Sequence, residues 1–211
     1  MIDLKDSNNF LIETIKRKNF LTDPGVDRAF RQIPRELFVT ESSKNEAYQD
    51  RPLPTKEGQT ISQPSVVARM TELLQVKGDQ KILEIGSGSG WQSAILAYLV
   101  GDNGRIYTMD YSEHLVTMAK ENHKRASITN AEVICGNGTK GLPEKAPFDR
   151  IIVTAACETI GNHIFEQLSL DGFLLAPMGG SIQSLKLYRK TSNGVVLEES
   201  EYGYVFTPLV D

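Results

Sequence analysis

What this sequence lacks narrows it quickly. Two cysteines, Cys135 and Cys157, stand far apart in 211 residues with no CxxC spacing, so no disulfide framework or cysteine-rich zinc site is expected. Both are read as buried free thiols of a reducing compartment. The three histidines, His114, His123 and His163, make no HxH or HExxH pattern, so no metal is expected, and each is assigned to a helix surface. No apolar run approaches the ~18 residues of a membrane span. The first residues, Met1-Ile2-Asp3-Leu4-Lys5-Asp6, carry acids where a secretory signal needs bases and an apolar stretch, so a cytoplasmic protein is expected. There is no basic excess either: the net charge is −4, which disfavours nucleic acid as the main partner. Repeats and low-complexity tracts are also missing.

What is present fits a globular chain, 40% hydrophobic and 24% charged. At roughly 150 residues per domain, its length suggests one domain with a surplus of about a third. Residues 1–62 read as helices and a loop. Asp23 before Pro24 forms a helix start, Val26, Phe30 and Ile33 recur at helical spacing, and Pro34 ends that helix. The polar stretch 45–60, with Pro52, Pro54 and Gly58, reads as a long loop of functional character. A helix then carries Val66, Val67, Met70, Leu73 and Leu74. In residues 63–177 strands at 81–85, 105–109, 131–135, 149–154 and 173–176 alternate with helices at 91–100, 112–126 and 160–170. That alternation predicts a doubly wound parallel α/β sheet. In 178–211 the segments 185–189, 195–199 and 202–206 read as antiparallel edge strands around Asn193-Gly194.

The sharpest motif is Glu84-Ile85-Gly86-Ser87-Gly88-Ser89-Gly90, at a strand end before a helix. Alternate glycines let the backbone turn tightly and approach a ligand over the strand's carboxyl end. A dinucleotide fingerprint would need glycine at 91, where Trp91 stands. Asp110, 24 positions after Gly86 at the next strand end, suits the two hydroxyls of a ribose. A nucleoside without pyrophosphate points to S-adenosylmethionine rather than a nicotinamide dinucleotide. Gly136-Asn137-Gly138 follows a neighbouring strand, where Asn137 is expected to meet the edge of a base. Ser62, two residues before Pro64, has the position of a helix N-cap.

Longer segments resemble the protein-L-isoaspartate (D-aspartate) O-methyltransferase family through most of the chain. Ile33–Val39 is similar to its PRExF segment, Ala47–Pro54 to its AYxDxPLP loop and Leu83–Gly90 to its LEIGTGSG loop. Gly58-Gln59-Thr60-Ile61-Ser62-Gln63-Pro64 reproduces its GQTISQP stretch, and Val205–Leu209 resembles its closing VxFVPL segment. The family has tyrosine where Trp91 stands, glutamate at Asp110 and aspartate at Asn137; the uncharged amide there implies weaker cofactor binding. Thr55 and Thr207 also replace apolar residues.

The resemblance implies a Rossmann-like class I methyltransferase fold and methyl transfer from S-adenosylmethionine to the α-carboxylate of isoaspartyl and D-aspartyl residues in damaged proteins. It implies Ser62 as the catalytic residue. Cofactor contacts would come from Thr60, Ile61, Glu84, Gly86, Ser87, Gly88, Gly90, Trp91, Asp110, Tyr111, Asn137, Gly138 and Thr154. Substrate contacts would come from Thr60, Ile61, Ser62, Gln63, Thr207, Pro208 and Leu209, in a monomer that needs neither metal nor membrane. A dedicated peptide aspartate as acceptor, or a homologue that binds the cofactor without catalysis, would use the same residues.

Overall fold

The computed structural model describes residues 4–210. Two helices open the chain, α1 (Leu4–Arg17) and α2 (Pro24–Gln32). Asp23 caps α2 as expected: its Oδ1 accepts from the amides of Gly25 (2.6 Å) and Val26 (3.0 Å). Two short 3₁₀ turns, 35–37 and 41–46, follow, and the stretch 45–60 expected as one long loop carries a small antiparallel hairpin of β1 (Leu53–Pro54) and β2 (Thr60–Ile61).

Helix α3 (Pro64–Leu74) follows, then β3 (Lys81–Ile85), α4 (Trp91–Val100), β4 (Arg105–Asp110), α5 (Glu113–Arg125), β5 (Ala131–Cys135) and β6 (Phe148–Val153). Short α6 (Asn162–Glu166) precedes β7 (Leu168–Met178), β8 (Gln183–Thr191) and β9 (Gly194–Tyr204). The main sheet runs β5-β4-β3-β6-β7-β8-β9, parallel through β7 and antiparallel at β8 and β9. Strand order reverses between β3 and β6, and in such sheets the crevice beyond the carboxyl ends at that reversal is where ligands collect.

The sheet sorts its side chains with period two. Ile82, Ile106 and Ile152 pack with Met70 and Leu74 of α3 and Leu96 and Val100 of α4 on one face. Leu83, Ile85, Ile151 and Val153 join Ile164 and Leu174 in a second core on the other face. The N-terminal region is part of the same body: Ile12, Phe30, Phe38 and Leu53 share a core with Trp91, Ala94 and Ile95 of α4.

Three expectations are corrected. The helix expected at 160–170 covers only 162–166, because Leu168 pairs with Phe148 and the chain resumes β-pairing at Phe173 after a bulge. There ladder hydrogen bonds override the helical spacing of Ile160, Ile164 and Leu168. The segments 195–199 and 202–206 are one strand, β9, with Phe206 beyond its end. Neither thiol is fully buried, since Cys135 is exposed and Cys157 half-buried, though both are free. No helix among the described residues is long and apolar enough to cross a membrane.

Candidate functional site

Beyond the carboxyl ends of β3, β4 and β6 lies a cavity of about 760 Å³. Its wall begins at the glycine loop. The amides of Gly86 and Ser87 both donate to the Met109 carbonyl (2.8 and 2.9 Å), tying the loop to the end of β4. Gly86 sits at φ +104°, and a Cβ there would lie 2.4 Å from Thr154 Oγ1. Only glycine allows the two strand ends to meet so closely. Thr154 completes the contact: its amide donates to Ile85 O (2.9 Å), and its hydroxyl reaches Ile85 O and Gly86 O.

Asp110 braces the loop from the next strand. Its Oδ2 accepts from the Gly88 amide at 2.9 Å and its Oδ1 from the Ser112 amide at 3.3 Å. A carboxylate has about four acceptor positions, so capacity is left for a ligand hydroxyl. Glu84, fully buried in the cavity wall, accepts from Thr108 Oγ1 with Oε2, while Oε1 has no partner. Burial pushes the Glu84 carboxyl up to about 8, with the nearby Asp110 charge acting in the same direction.

Helix α5 supports the loop from behind. Asn122 Nδ2 donates to Ser89 O at 2.8 Å, and His123 Nε2 lies 2.9 Å from Gly90 O. His123 is therefore a buried loop support, contrary to the helix-surface position expected of it. Burial lowers its pKa, which favours the neutral ring. His114 and His163 are exposed, as expected. Among the described residues no group of acids, histidines or cysteines could hold a metal ion.

The opposite wall comes from the hairpin and α3. Thr60, Ile61, Ser62 and Gln63 all line the cavity, with the Ser62 side chain half-buried. Ser62 is not the helix cap. Gln63 occupies the cap position without a side-chain bond, and Asp50 Oδ1 accepts from the Ser65 amide instead (2.9 Å). The Ser62 hydroxyl is thus released from the capping duty its position suggested. The C-terminal segment closes the far side: Thr207, Pro208 and Leu209 line the cavity, and Ala156 pairs with it through Leu209 N (2.7 Å) and Thr207 O (2.8 Å). That pairing uses one backbone edge of the segment, while Thr207 and Pro208 stay exposed.

Of the expected site residues Glu84, Gly86, Ser87, Gly88, Trp91, Asp110, Gly138 and Thr154 line the cavity, and Tyr111 stands exposed at its rim. Gly90 lies just behind, packed on His123. Trp91 is only 2% exposed; its indole donates to Ile33 O (3.1 Å) and its ring meets Phe30 edge-on. Its chief contacts join α4 to the N-terminal helices. Asn137 departs from expectation. It is not among the lining residues, and its Oδ1 accepts from both the amide (2.8 Å) and the hydroxyl (2.6 Å) of Thr139, capping a 3₁₀ turn. Both acceptor positions of that oxygen are taken by the turn, which leaves the amide nitrogen as the side chain's donor. Gly138 takes its place in the wall, where a Cβ would come within 2.5 Å of Ile85.

Tyr204, Phe206, Met70 and Leu115 also line the cavity and were not foreseen. Apolar residues on a helix or at a strand end carry no local signature of a site. The wall fits S-adenosylmethionine on its own chemistry: a glycine-only backbone approach and a strand-end aspartate with spare acceptor capacity.

The family model of protein-L-isoaspartate(D-aspartate) O-methyltransferase (PCMT) matches residues 6–211. A protein-L-isoaspartate O-methyltransferase of Methanococcoides burtonii is 41% identical over 189 residues, 90% of this chain and 93% of that protein. A solved protein-L-isoaspartate O-methyltransferase superposes with a TM-score of 0.85 at 29% identity, over 95% of this chain and 65% of its own. A second structure, of a Plasmodium falciparum protein described as a beta-aspartate methyltransferase in complex with S-adenosyl-L-homocysteine, gives 0.84 at 25% identity over 95% and 96%. With these likenesses, the sheet described above is that of a class I S-adenosylmethionine-dependent methyltransferase.

Proposed function

Because this chain belongs to the protein-L-isoaspartate(D-aspartate) O-methyltransferase family, we propose that it repairs damaged proteins by methylating the α-carboxylate of L-isoaspartyl and D-aspartyl residues. S-adenosylmethionine, when bound, supplies a methyl group on a positively charged sulfur, which leaves with the bond's electron pair as a carboxylate oxygen takes the methyl. A carboxylate is already ionised at neutral pH, so the chain needs no general base. Its task is to place the reacting atoms in line, which can lower the barrier by several kcal/mol.

In this reading the loop 86–90, with Thr60, Ile61, Glu84, Trp91, Asp110, Tyr111, Gly138 and Thr154, holds the cofactor. Ser62 donates a hydrogen bond to the acceptor carboxylate, and Thr60, Ile61, Gln63 and the segment 207–209 border the acceptor peptide. Residues 63–177 form the cofactor-binding core of one methyltransferase unit, and 1–62 and 178–211 supply its acceptor side. The enzyme acts as a cytoplasmic monomer on flexible chains. The observation that supports this reading best is that Ser62 and the glycine loop line one cavity at the sheet's reversal point.

The deciding experiment compares base-labile methyl ester formation on an isoaspartyl peptide and on its normal aspartyl twin. Esterification of the isoaspartyl peptide alone is expected. Esterification of the normal peptide alone would replace repair by modification of a dedicated aspartate, and no ester on either would remove the methyltransferase reading.

A further inference from the structure

The most deeply buried charge on the acceptor side belongs to Arg35, 1% exposed, in the 3₁₀ turn after α2. Its guanidinium gathers backbone carbonyls from two separate segments. Nη1 donates to Ala47 O (2.8 Å) and Gln49 O (3.2 Å). Nη2 donates to Arg51 O (3.0 Å), Ile61 O (3.4 Å) and Ser62 O (2.9 Å). One face of the group lies 5.3 Å from the centre of the Trp91 ring. A planar fork with donors on two nitrogens suits this work, whereas a lysine's three donors on a single nitrogen could not reach all five carbonyls.

We propose that Arg35 is a positioning residue for the methyl acceptor: by holding the Ile61 and Ser62 carbonyls against the 47–51 segment, it sets where the Ser62 side chain and its neighbours meet the substrate. The proposal rests on the methyltransferase reading above. Ile61 and Ser62 line the cavity directly, whereas Arg35 does not, so it acts through the backbone it grips. The glycine loop has supports of its own in Met109, Thr154 and Asp110, and Arg35 meets that side only through the Trp91 ring that follows Gly90. Loosening the clamp should therefore disturb the acceptor far more than the cofactor.

The test is R35K, which keeps the charge and loses the fork, with folding checked by circular dichroism. Its kcat/KM for an isoaspartyl peptide should fall about 10- to 100-fold, while the Kd for S-adenosylhomocysteine stays within about threefold. An unchanged kcat/KM, or a parallel loss of cofactor affinity, would overturn the proposal and leave Arg35 a structural staple. Wild-type turnover reports the functional reading separately. S62A separates the Ser62 reading: a silent S62A would remove that residue's role and leave a selective R35K loss standing for the clamp.

If R35K does not fold, the wild type carries the test through ¹⁵N-arginine labelling. The Arg35 guanidinium is identified by its nuclear Overhauser contact with the single tryptophan. Its signals should shift when isoaspartyl peptide joins the S-adenosylhomocysteine complex and move little when S-adenosylhomocysteine binds alone. No shift with peptide would overturn the proposal.

Discussion

The two walls of the cavity are built on different principles. The cofactor wall is contiguous: residues 84–90 turn at a strand end, and their shape comes from glycine conformations and from amides bonded to the neighbouring strand. The acceptor wall is assembled from distant pieces. The 60–63 segment is held by Arg35, and the start of α3 by Asp50, which is paired with Lys18 of the loop after α1. A wall made of backbone tolerates almost no change in residue type at its tightest points. A wall made by a side-chain clamp can lose position while the fold survives. The two should therefore fail separately.

The largest effect on cofactor affinity is expected at Gly86. In G86A the new Cβ meets Thr154 Oγ1, and φ +104° strains any residue other than glycine. S-adenosylhomocysteine affinity should drop by a factor of about 30 or more, on the order of 2 kcal/mol, as calorimetric titration would show. Retained affinity would mean that the loop relaxes freely and that its glycines are not what shape the wall.

Next comes Glu84, the buried carboxyl behind that loop. In the folded chain it keeps its proton up to about 8, against 4.5 ordinarily. Between those values the folded state binds the extra proton, so this contribution to stability is fully present below about 4.5 and is lost as pH rises through about 8. Urea unfolding between pH 5 and 9 should show the decline in the wild type, on the order of a few kcal/mol, and a flatter profile in E84Q. Equal slopes would contradict the buried, protonated state.

A smaller change tests whether the N-terminal helices as a whole shape the acceptor wall, or only the clamp. D23A removes the α2 cap and should cost about 1 kcal/mol of stability. Peptide kcat/KM should stay near the wild-type value, since Asp23 touches neither clamp nor cavity. A selective loss toward peptide would extend the acceptor wall to α2. The smallest effect belongs to Glu57 at the hairpin turn, which bonds Ser112 Oγ and His114 Nδ1. It is an exposed surface contact, so E57A should change cofactor Kd by less than about twofold. A larger change would show that the hairpin tip joins the two walls.

The same contrast governs what could be read from the chain. The glycine loop, Asp110 and the alternation of strands and helices were legible because each signal is local: glycine spacing, a strand-end acid and two hydrophobic periods. The acceptor wall was recognisable only as resemblances, in Ile33–Val39, Ala47–Pro54, Gly58–Pro64 and Val205–Leu209. Arg35 grips carbonyls 26 and 27 residues away, and a carbonyl carries no mark of its residue type. Asn137 shows a related limit. Its position between two glycines is visible, but the choice between a base edge and the Thr139 turn depends on side-chain geometry. Buried His123 likewise shows no sign in the sequence that α5 passes beneath Gly90.

S62A measured on both sides at once is the most direct test of separable walls. The account predicts that kcat/KM for an isoaspartyl peptide falls about 10- to 100-fold while S-adenosylhomocysteine affinity remains close to that of the wild type. Equal loss of turnover and cofactor affinity would contradict it, and would make the two walls a single structural unit.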